Sequence, residues 1–268
     1  MASGTDQAAT AKRQRLVASA RGLGLLPLGE RAAFWREARA RRGENAAFRA
    51  EHPDLILPPL RWMHDMYAHA SYRLYWDTGC QHADEMTRLI ETHLGPGRHR
   101  VAEWGCGMGR IVRHLTSAHD VTGFDYNPAA ARWCAANLDG RYVPNGLMPP
   151  LPTGDDSLDA VFAVSVLTHL SEAAHEVWIT EIARVLRPGG VALLTVHGAP
   201  APGQLLPSEA ARFERGELVE RGRVKEGSRI YTAYQPDAFM RRLFAGAGFE
   251  VVGEPRSAFG QTLWVGRR

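Results

Sequence analysis

The sequence predicts an α/β protein. It should hold a seven-stranded, mostly parallel, doubly wound sheet with an antiparallel last strand, preceded by an N-terminal helical extension. Three observations carry this. From residue 100 onward, short apolar runs alternate with amphipathic stretches at helical spacing, the rhythm of a parallel sheet covered on both faces. The last two apolar runs, FEVVGE and QTLWVGRR, follow each other with no helix between them. They can pair as an antiparallel hairpin at the sheet edge. Residues 13–50 instead set Leu, Ala and Phe at helix-like intervals among Arg and Glu, until His52-Pro53 breaks the pattern.

The elements follow in order. Residues 1–12 are small and polar and are expected to be disordered. Residues 53–60 (PDLILPPL) read as an extended connector. Residues 61–79 are dense in aromatics and histidine. Residues 81–94 (QHADEMTRLIETHL) form an amphipathic helix that stops at Gly95-Pro96. HRVAEW is the first strand, and MGRIVRHLTSA the helix after it. DVTGFD is the second strand, followed by the helix NPAAARWCAANL. RYV is a brief third strand. LDAVFAVSVL is the fourth, with the helix SEAAHEVWITEIARVL behind it. RPGG is a turn, and VALLTVHG is the fifth strand. Residues 199–230, rich in Gly, Pro and charge, read as an inserted flap. PDAFMRRLFAGAGFEVVGE supplies a helix, a glycine turn and the sixth strand. The domain organisation is therefore a helical extension or lid over 1–80, and a main domain over 81–268 with a substrate-side insertion at 199–235.

Composition removes several classes. The chain has 268 residues, 45% hydrophobic and 23% charged, which suits a soluble globular protein large enough for a layered core. No apolar stretch approaches the roughly 20 residues of a membrane helix. Net charge is +3, and 30 of the 32 basic residues are Arg. The basic excess lies in residues 1–50, where ten basic residues stand against four acidic. A solvated amphipathic face explains it better than nucleic-acid binding. Cys80, Cys106 and Cys134 are odd in number and form no C-x-x-C pair, so neither a disulfide framework nor a metal site is expected. The first twenty residues hold no apolar signal core, so the expected location is the cytoplasm.

The chemistry gathers at one turn. Glu103-Trp104-Gly105-Cys106-Gly107-Met108-Gly109 leaves the first strand. Three glycines at alternate positions let the backbone turn tightly and approach a ligand. Free N–H groups at the following helix start favour an anionic group. Twenty residues after Gly105, Asp125 ends the second strand. A carboxylate there can accept both hydroxyls of a ribose, although Asp125 could also serve the helix start beside the better cap, Asn127.

These residues carry a family resemblance. AEWGCGMGR, then GFDYNP, then VPNGLMPPLPTGDDSLDAVFAVSVLTHL, then EIARVLRPGGVALLTVHG, resembles a class I (Rossmann-like) S-adenosylmethionine-dependent methyltransferase of the small-molecule type. The resemblance covers residues 82–268, about 70% of the chain. It implies S-adenosyl-L-methionine as cofactor and a seven-stranded sheet with a reversed last strand. Glu103 would sit at the amino-acid end of the cofactor. Gly105, Cys106, Gly107, Gly109 and Arg110 belong to the turn that shapes the methionine and ribose pocket. Asp125 would hold the ribose diol, and Tyr126 would flank the adenine. Asn145, Gly146 and Leu147 would lie at the adenine amino edge. Ser165 and Val166 would line the floor. Similar proteins carry a tyrosine-rich stretch before a G-x-x-x-A helix start, here Gly79 to Ala83, which brings Tyr67, Tyr75 and Thr78 to the cofactor. Trp104 departs from the small residue such turns often carry. Asn145 stands where many members have Asp. A dinucleotide is the competing ligand, but its third glycine is out of register at Arg110. Glu103 would also repel a pyrophosphate.

Methyl transfer is an in-line displacement, so the protein supplies alignment, a dry pocket and, where needed, a base. His169 after strand four and His197 after strand five lie on the carboxyl edge of the sheet, where ligands bind. They are the candidate catalytic residues. A local capping role competes for His169. His64, His69 and Asp77 are weaker candidates. Tyr231, Tyr234 and Gln235 are expected to face the substrate, and Gln261 to be solvated at the sheet edge. Trp62, Met66, Tyr72 and Trp76, with Tyr67 and Tyr75, read as a packed cap or as a lid over the sulfonium. The expected function is methyl transfer to an O, N or C atom of a small molecule in specialised metabolism, with no nucleic-acid or membrane partner. The alternatives are S-adenosylmethionine binding for a non-methylating or regulatory role, or methylation of protein or nucleic acid. The sequence leaves oligomeric state open.

Overall fold

A computed structural model describes residues 26–268. The expected disorder of 1–12 and the start of the N-terminal helical stretch lie outside these residues. Four helices lead the chain: α1 (Leu26–Ala40), α2 (Arg42–Glu51), α3 (Leu60–Tyr67) and α4 (Tyr72–Leu94). Helix α4 starts nine residues before the expected 81–94 helix. Ser71 caps it, its hydroxyl accepting the Leu74 N–H at 3.2 Å. Helix α2 docks on this cap. Asn45 accepts the Tyr72 N–H at 2.9 Å and donates to the Ala70 carbonyl at 2.8 Å. The Ser71 hydroxyl donates to Glu44 at 2.5 Å.

The sheet order is β3-β2-β1-β4-β5-β10-β8. Its strands are β1 (Arg100–Trp104), β2 (Asp120–Asp125), β3 (Arg141–Pro144), β4 (Leu158–Ala163), β5 (Leu186–Val196), β8 (Glu250–Val251) and β10 (Gln261–Arg267). Strands β3 to β5 are mutually parallel, and β10 runs antiparallel to both β5 and β8. A short β9 (Arg256–Ala258) pairs with β10. The expected order of elements and the reversed last strand are both present. Helices α5 (Pro128–Asn137), α6 (Glu172–Val185) and α8 (Asp237–Gly246) form later connections. Each strand feeds both faces, because successive side chains alternate. On β4, Val161 and Ala163 join a core with α6 and α8, while Ala160 and Phe162 join a core with α4. A third cluster, including Phe48, Met63, Tyr72 and Tyr75, packs the N-terminal helices onto Met108 and Ala130.

Three local expectations fail. The helix expected over MGRIVRHLTSA is a run of turns with one 3-10 segment, Val112–His114. The backbone at Gly105, Gly107 and Gly109 has positive φ, and the Glu103 carboxylate accepts the Val112 N–H at 2.9 Å. The following amides close on carbonyls three residues back, as from Leu115 to Val112. Strand β4 stops at Ala163 instead of running to Leu167. Ser165 sits at φ 67°, which no strand accommodates. Arg187-Pro188-Gly189-Gly190, expected as a turn, falls within β5, next to a register shift between Leu158 and Ala160. The 199–235 region folds into α7 (Pro207–Glu214) and an antiparallel pair, β6 (Val219–Arg221) with β7 (Thr232–Tyr234).

Gly79 shows what fixes α4 to the domain. A Cβ there would lie 2.3 Å from the Arg110 carbonyl oxygen. That neighbour is backbone and cannot swing aside. Gly79→Ala should therefore destabilise the protein by about 1–3 kcal/mol, despite the better helix propensity of Ala. A thermal melt checks this, and an unchanged or raised Tm would show that α4 does not rest on this contact.

Candidate functional site

The carboxyl ends of β1, β2, β4 and β5 open into a cavity of about 930 Å³. The glycine turn forms its floor on one side. Both the Gly105 and Cys106 amides donate to the Phe124 carbonyl, at 2.8 and 3.0 Å. This tucks the turn under the end of β2. A Cβ on Gly105 would meet Val166 Cγ2 at 2.3 Å, and one on Gly107 would meet the Tyr67 hydroxyl at 2.7 Å. Tyr67 in turn accepts the Met108 N–H at 2.8 Å. Asp125 accepts the Gly107 N–H on one oxygen and the Asn127 N–H on the other, each at 2.7 Å. Burial pushes its carboxyl up, and these two N–H groups oppose that. Each oxygen keeps a further lone pair for a ligand.

Glu103, 4% exposed, lies just behind. Burial pushes its carboxyl up to about 8, against the pull of Arg110 and the Val112 amide. Arg110 reaches the cavity from the turn. It donates to Thr78 and to His82 Nδ1, both at 3.1 Å, and its guanidinium sits 5.4 Å from the Tyr67 ring centre. Asn145, Gly146, Leu147 and Tyr126 line the next wall. The Asn145 Oδ1 is buried with no hydrogen-bond partner, while its amide donates to the Gly146 carbonyl at 2.6 Å.

The opposite end holds two histidines. His169 Nδ1 is 2.8 Å from the Tyr231 carbonyl, and His197 Nδ1 is 2.9 Å from the Ala233 carbonyl. A carbonyl only accepts, so in both rings the proton sits on Nδ1 and Nε2 carries the lone pair. Burial lowers the pKa of both rings, which keeps them neutral at pH 7. Ser165, in its left-handed backbone, bonds Thr168 and accepts from Gln261 at 2.9 Å. Gln261 also accepts from Thr195 at 2.5 Å, so it belongs to the cavity wall and is not a solvated edge residue.

Residues 102–194 match the family described as a methyltransferase domain. The chain carries a class I, S-adenosylmethionine-dependent methyltransferase domain. Its fold is shared with a methyltransferase structure from Methanosarcina mazei, at TM-score 0.52 and 18% identity over 67% of this chain and 96% of that one. It is also shared with DesVI of Streptomyces venezuelae, at TM-score 0.53 and 17% identity over 73% and 95%. In sequence the chain is 35% identical to a fatty-acid O-methyltransferase of Mycolicibacterium smegmatis, over 43% of this chain and 47% of that protein. It is 28% identical to a tRNA N(3)-cytidine methyltransferase of Danio rerio, over 74% of this chain and 50% of that one. The chain thus spans about half the length of these curated relatives.

Most residues singled out from the sequence line this cavity: Tyr67, Thr78, Glu103, Gly105, Cys106, Gly107, Arg110, Asp125, Tyr126, Asn145, Gly146, Leu147, Ser165, Val166, His169, His197, Tyr234 and Gln261. Others do not reach it. Tyr75 is fully buried and donates to the Met108 carbonyl at 2.8 Å. Gly109 faces Leu138, Cys134 and Tyr142, where its lack of Cβ serves packing. Gln235 is fully buried, and Tyr231 turns its hydroxyl to Glu220 at 2.8 Å. His64 is buried beside Phe34, and Asp77 lies off the cavity. His69 does line it, accepting the Ser71 N–H at 3.4 Å. The sequence reading missed His82, Lys225, Gly227, Arg229 and Phe259. His82 was findable, since it stands one helical turn after Thr78. The flap residues were not, because nothing local fixes where an irregular segment returns. Gly227, at φ 79°, donates to the His169 carbonyl at 2.9 Å and lies against Tyr126, so the loop spans both ends of the cavity.

Glu103 makes stability depend on pH in a definite direction. The folded chain holds its proton up to about 8, and an unfolded carboxyl releases it near 4.5. Between those values the folded state binds more protons. The stability this contributes is full below 4.5 and is lost as pH rises through about 8. Buried histidines act in the opposite sense, because their lowered pKa makes stability rise with pH up to about 6.5. The Glu103 share is therefore read as a difference: Tm of the ligand-free wild type minus Tm of Glu103→Gln should fall as pH rises from 4.5 through about 8. A difference that rises through this window would contradict the assignment.

Proposed function

We propose that the protein transfers a methyl group from S-adenosylmethionine to an O, N or C atom of a small molecule, with His169 and His197 as the proton acceptors. The observation that carries this reading is the pairing of two ends in one cavity. One end offers the donors and acceptors that suit the cofactor. The other presents two neutral imidazoles with free Nε2 lone pairs. When bound, S-adenosylmethionine supplies an electrophilic methyl group on a sulfonium.

The residues present fit that cofactor. The orphaned Asn145 Oδ1 is an acceptor waiting for a donor, which the adenine amino group would satisfy. Asp125 keeps lone pairs for the ribose hydroxyls. Tyr126 and Leu147 flank the adenine. The Cβ-free Gly105 and Gly107 give the ligand backbone-close approach. Arg110 suits the carboxylate of the methionine part and Glu103 its ammonium, whose positive charge would favour the ionised form of the Glu103 carboxyl, with Tyr67 and Thr78 holding Arg110 in place. Ser165 and Val166 complete the floor. At the far end, His169 or His197 takes the proton from an acceptor hydroxyl or amine as the nucleophile attacks. Each backbone carbonyl behind an imidazole stabilises the cation that forms.

The enclosing elements support a small acceptor. Residues of α3, α4 and the 225–234 segment cover the cavity, and its volume falls near the upper end for ligand pockets, about 300–1,000 Å³. The described part of the 1–80 extension, residues 26–80, then acts as a helical lid on the 81–268 methyltransferase domain, with 199–235 as the acceptor-side wall. An ion pair between Glu30 of α1 and Arg229 joins lid to wall. Among the described residues no helix is long and apolar enough to cross a membrane. Cys80, Cys106 and Cys134 are all free thiols, which suits a reducing compartment and supports a cytoplasmic location.

Methyl-labelled S-adenosylmethionine, incubated with the protein and separate fractions of small metabolites, total tRNA and protein, tests the reading. Label should appear in the small-molecule fraction. With the acceptor so found, His169→Ala or His197→Ala should lower kcat/KM by about 10²–10⁴-fold for whichever ring takes the proton. Label in tRNA would replace the small acceptor with a nucleic acid, as in the zebrafish relative. Tight cofactor binding with no label in any fraction would favour a non-methylating role.

A further inference from the structure

Tyr231 and Gln235 turn away from the cavity, yet the Tyr231 carbonyl touches His169 and the Gln235 side chain touches the His197 backbone from behind. The carbonyls of residues 231 and 233 hold the two imidazoles by Nδ1. Tyr231 immediately precedes β7 and Ala233 lies within it, so one short stretch of backbone sets both tautomers. The next residue but one is Gln235, whose side chain is fully buried.

That side chain joins three separate elements. Its Oε1 accepts the backbone N–H of His197 at 3.3 Å. Its Nε2 donates to the Leu167 carbonyl at 3.1 Å, within the 3-10 turn Leu167–His169. The other Nε2 hydrogen goes to His175 Nε2, also at 3.1 Å. His175, equally buried, has its own Nδ1 proton committed to the Ser171 carbonyl at 2.7 Å, so its Nε2 can only accept. The amide therefore has one orientation. Flipping it would set its oxygen against the Leu167 oxygen and its N–H against the His197 N–H. Both donors and the acceptor are used, and none is left over for a ligand.

We propose that Gln235 is a positioning residue, whose amide locks the turn carrying His169 and the strand end carrying His197 at a fixed spacing, with His175 fixing the amide. This rests on the reading of the two histidines as proton acceptors. The same two segments are joined a second time by Ser165, whose N–H donates to Thr195 Oγ1 at 2.8 Å, so Gln235 fixes the far side of a pair already aligned at its base. A side chain that merely filled the core would need no such division between one acceptor and two donors.

Histidine-selective ¹⁵N NMR on the full chain tests this without an acceptor in hand. In wild type at neutral pH, His169 and His197 should each show a protonated Nδ1 and an unprotonated Nε2. Gln235→Leu keeps the volume and loses all three bonds. Both histidines should then move from one tautomer toward a mixture, and kcat should fall more than KM rises. Gln235→Glu keeps an acceptor for the His197 N–H and brings no donor to Leu167. It should preserve the His197 signature and lose that of His169, with the new carboxylic acid passing its proton to His175 Nε2 and remaining as the carboxylate. This split decides the matter if the Leu variant does not fold. A lowered Tm with both signatures unchanged in both variants would reduce Gln235 to packing and overturn the proposal. Unchanged turnover in His169→Ala and His197→Ala is a different result. It would remove the catalytic reading and leave the spacing role to the spectra.

Discussion

The Asp125 carboxylate is the constraint around which the site is arranged. It ends β2 and accepts one amide from the glycine turn and one from the start of α5. Those bonds make a single buried group hold the ends of β1 and β2 and the first turn of a helix in one place. The end of the cavity proposed for the cofactor is arranged around that alignment. Gly105 passes under Val166, Gly107 passes under Tyr67, and Glu103 turns back to close the chain at Val112. The carboxylate is desolvated to do this. Its two N–H partners offset part of that cost, and a diol would offset more.

The acceptor side is built on a different plan. Its reactive candidates sit on strand ends of the main sheet, but their hydrogen-bond partners come from the inserted 199–235 segment. Two backbone carbonyls and one amide side chain of residues 231–235 meet His169, His197 and the turn at Leu167. The loop from Lys225 to Arg229 then bridges Tyr126 to the His169 turn and reaches Glu30 of the first helix. The insertion thus does more than wall the cavity. It sets the protonation pattern of the residues inside it.

Much of this was legible in the sequence, for reasons that can be named. Strand β4 reads as a buried parallel strand because Leu158 to Ala163 feed two cores at once. Helix α5 announces itself through Asn127, whose side chain accepts the Ala129 N–H at 3.0 Å, with Pro128 in the first turn. The glycine turn was readable because a tight turn needs particular residue types, and Asp125 because it ends the strand against which that turn lies. What escaped were features set by distant contacts. The MGRIVRHLTSA stretch has helical spacing, but three positive-φ glycines and the buried Glu103 carboxylate override it. Tyr75 and Gly109 match the right positions, yet α4 and Leu138 take them into packing. Gln235 and Tyr231 were assigned to the right segment and the wrong side of it, since a strand's alternation does not say which edge faces the cavity.

Calorimetric titration of the purified chain with S-adenosylmethionine tests the central claim most directly, with NAD as the control and Asp125→Ala as the variant. Saturable binding of S-adenosylmethionine, none of NAD, and loss of binding in a folded Asp125→Ala protein is the result predicted by a ribose-holding carboxylate between glycine turn and helix. Equal binding of S-adenosylmethionine by wild type and variant would contradict the role of Asp125. Absence of binding by the folded wild-type chain would contradict the cofactor site itself.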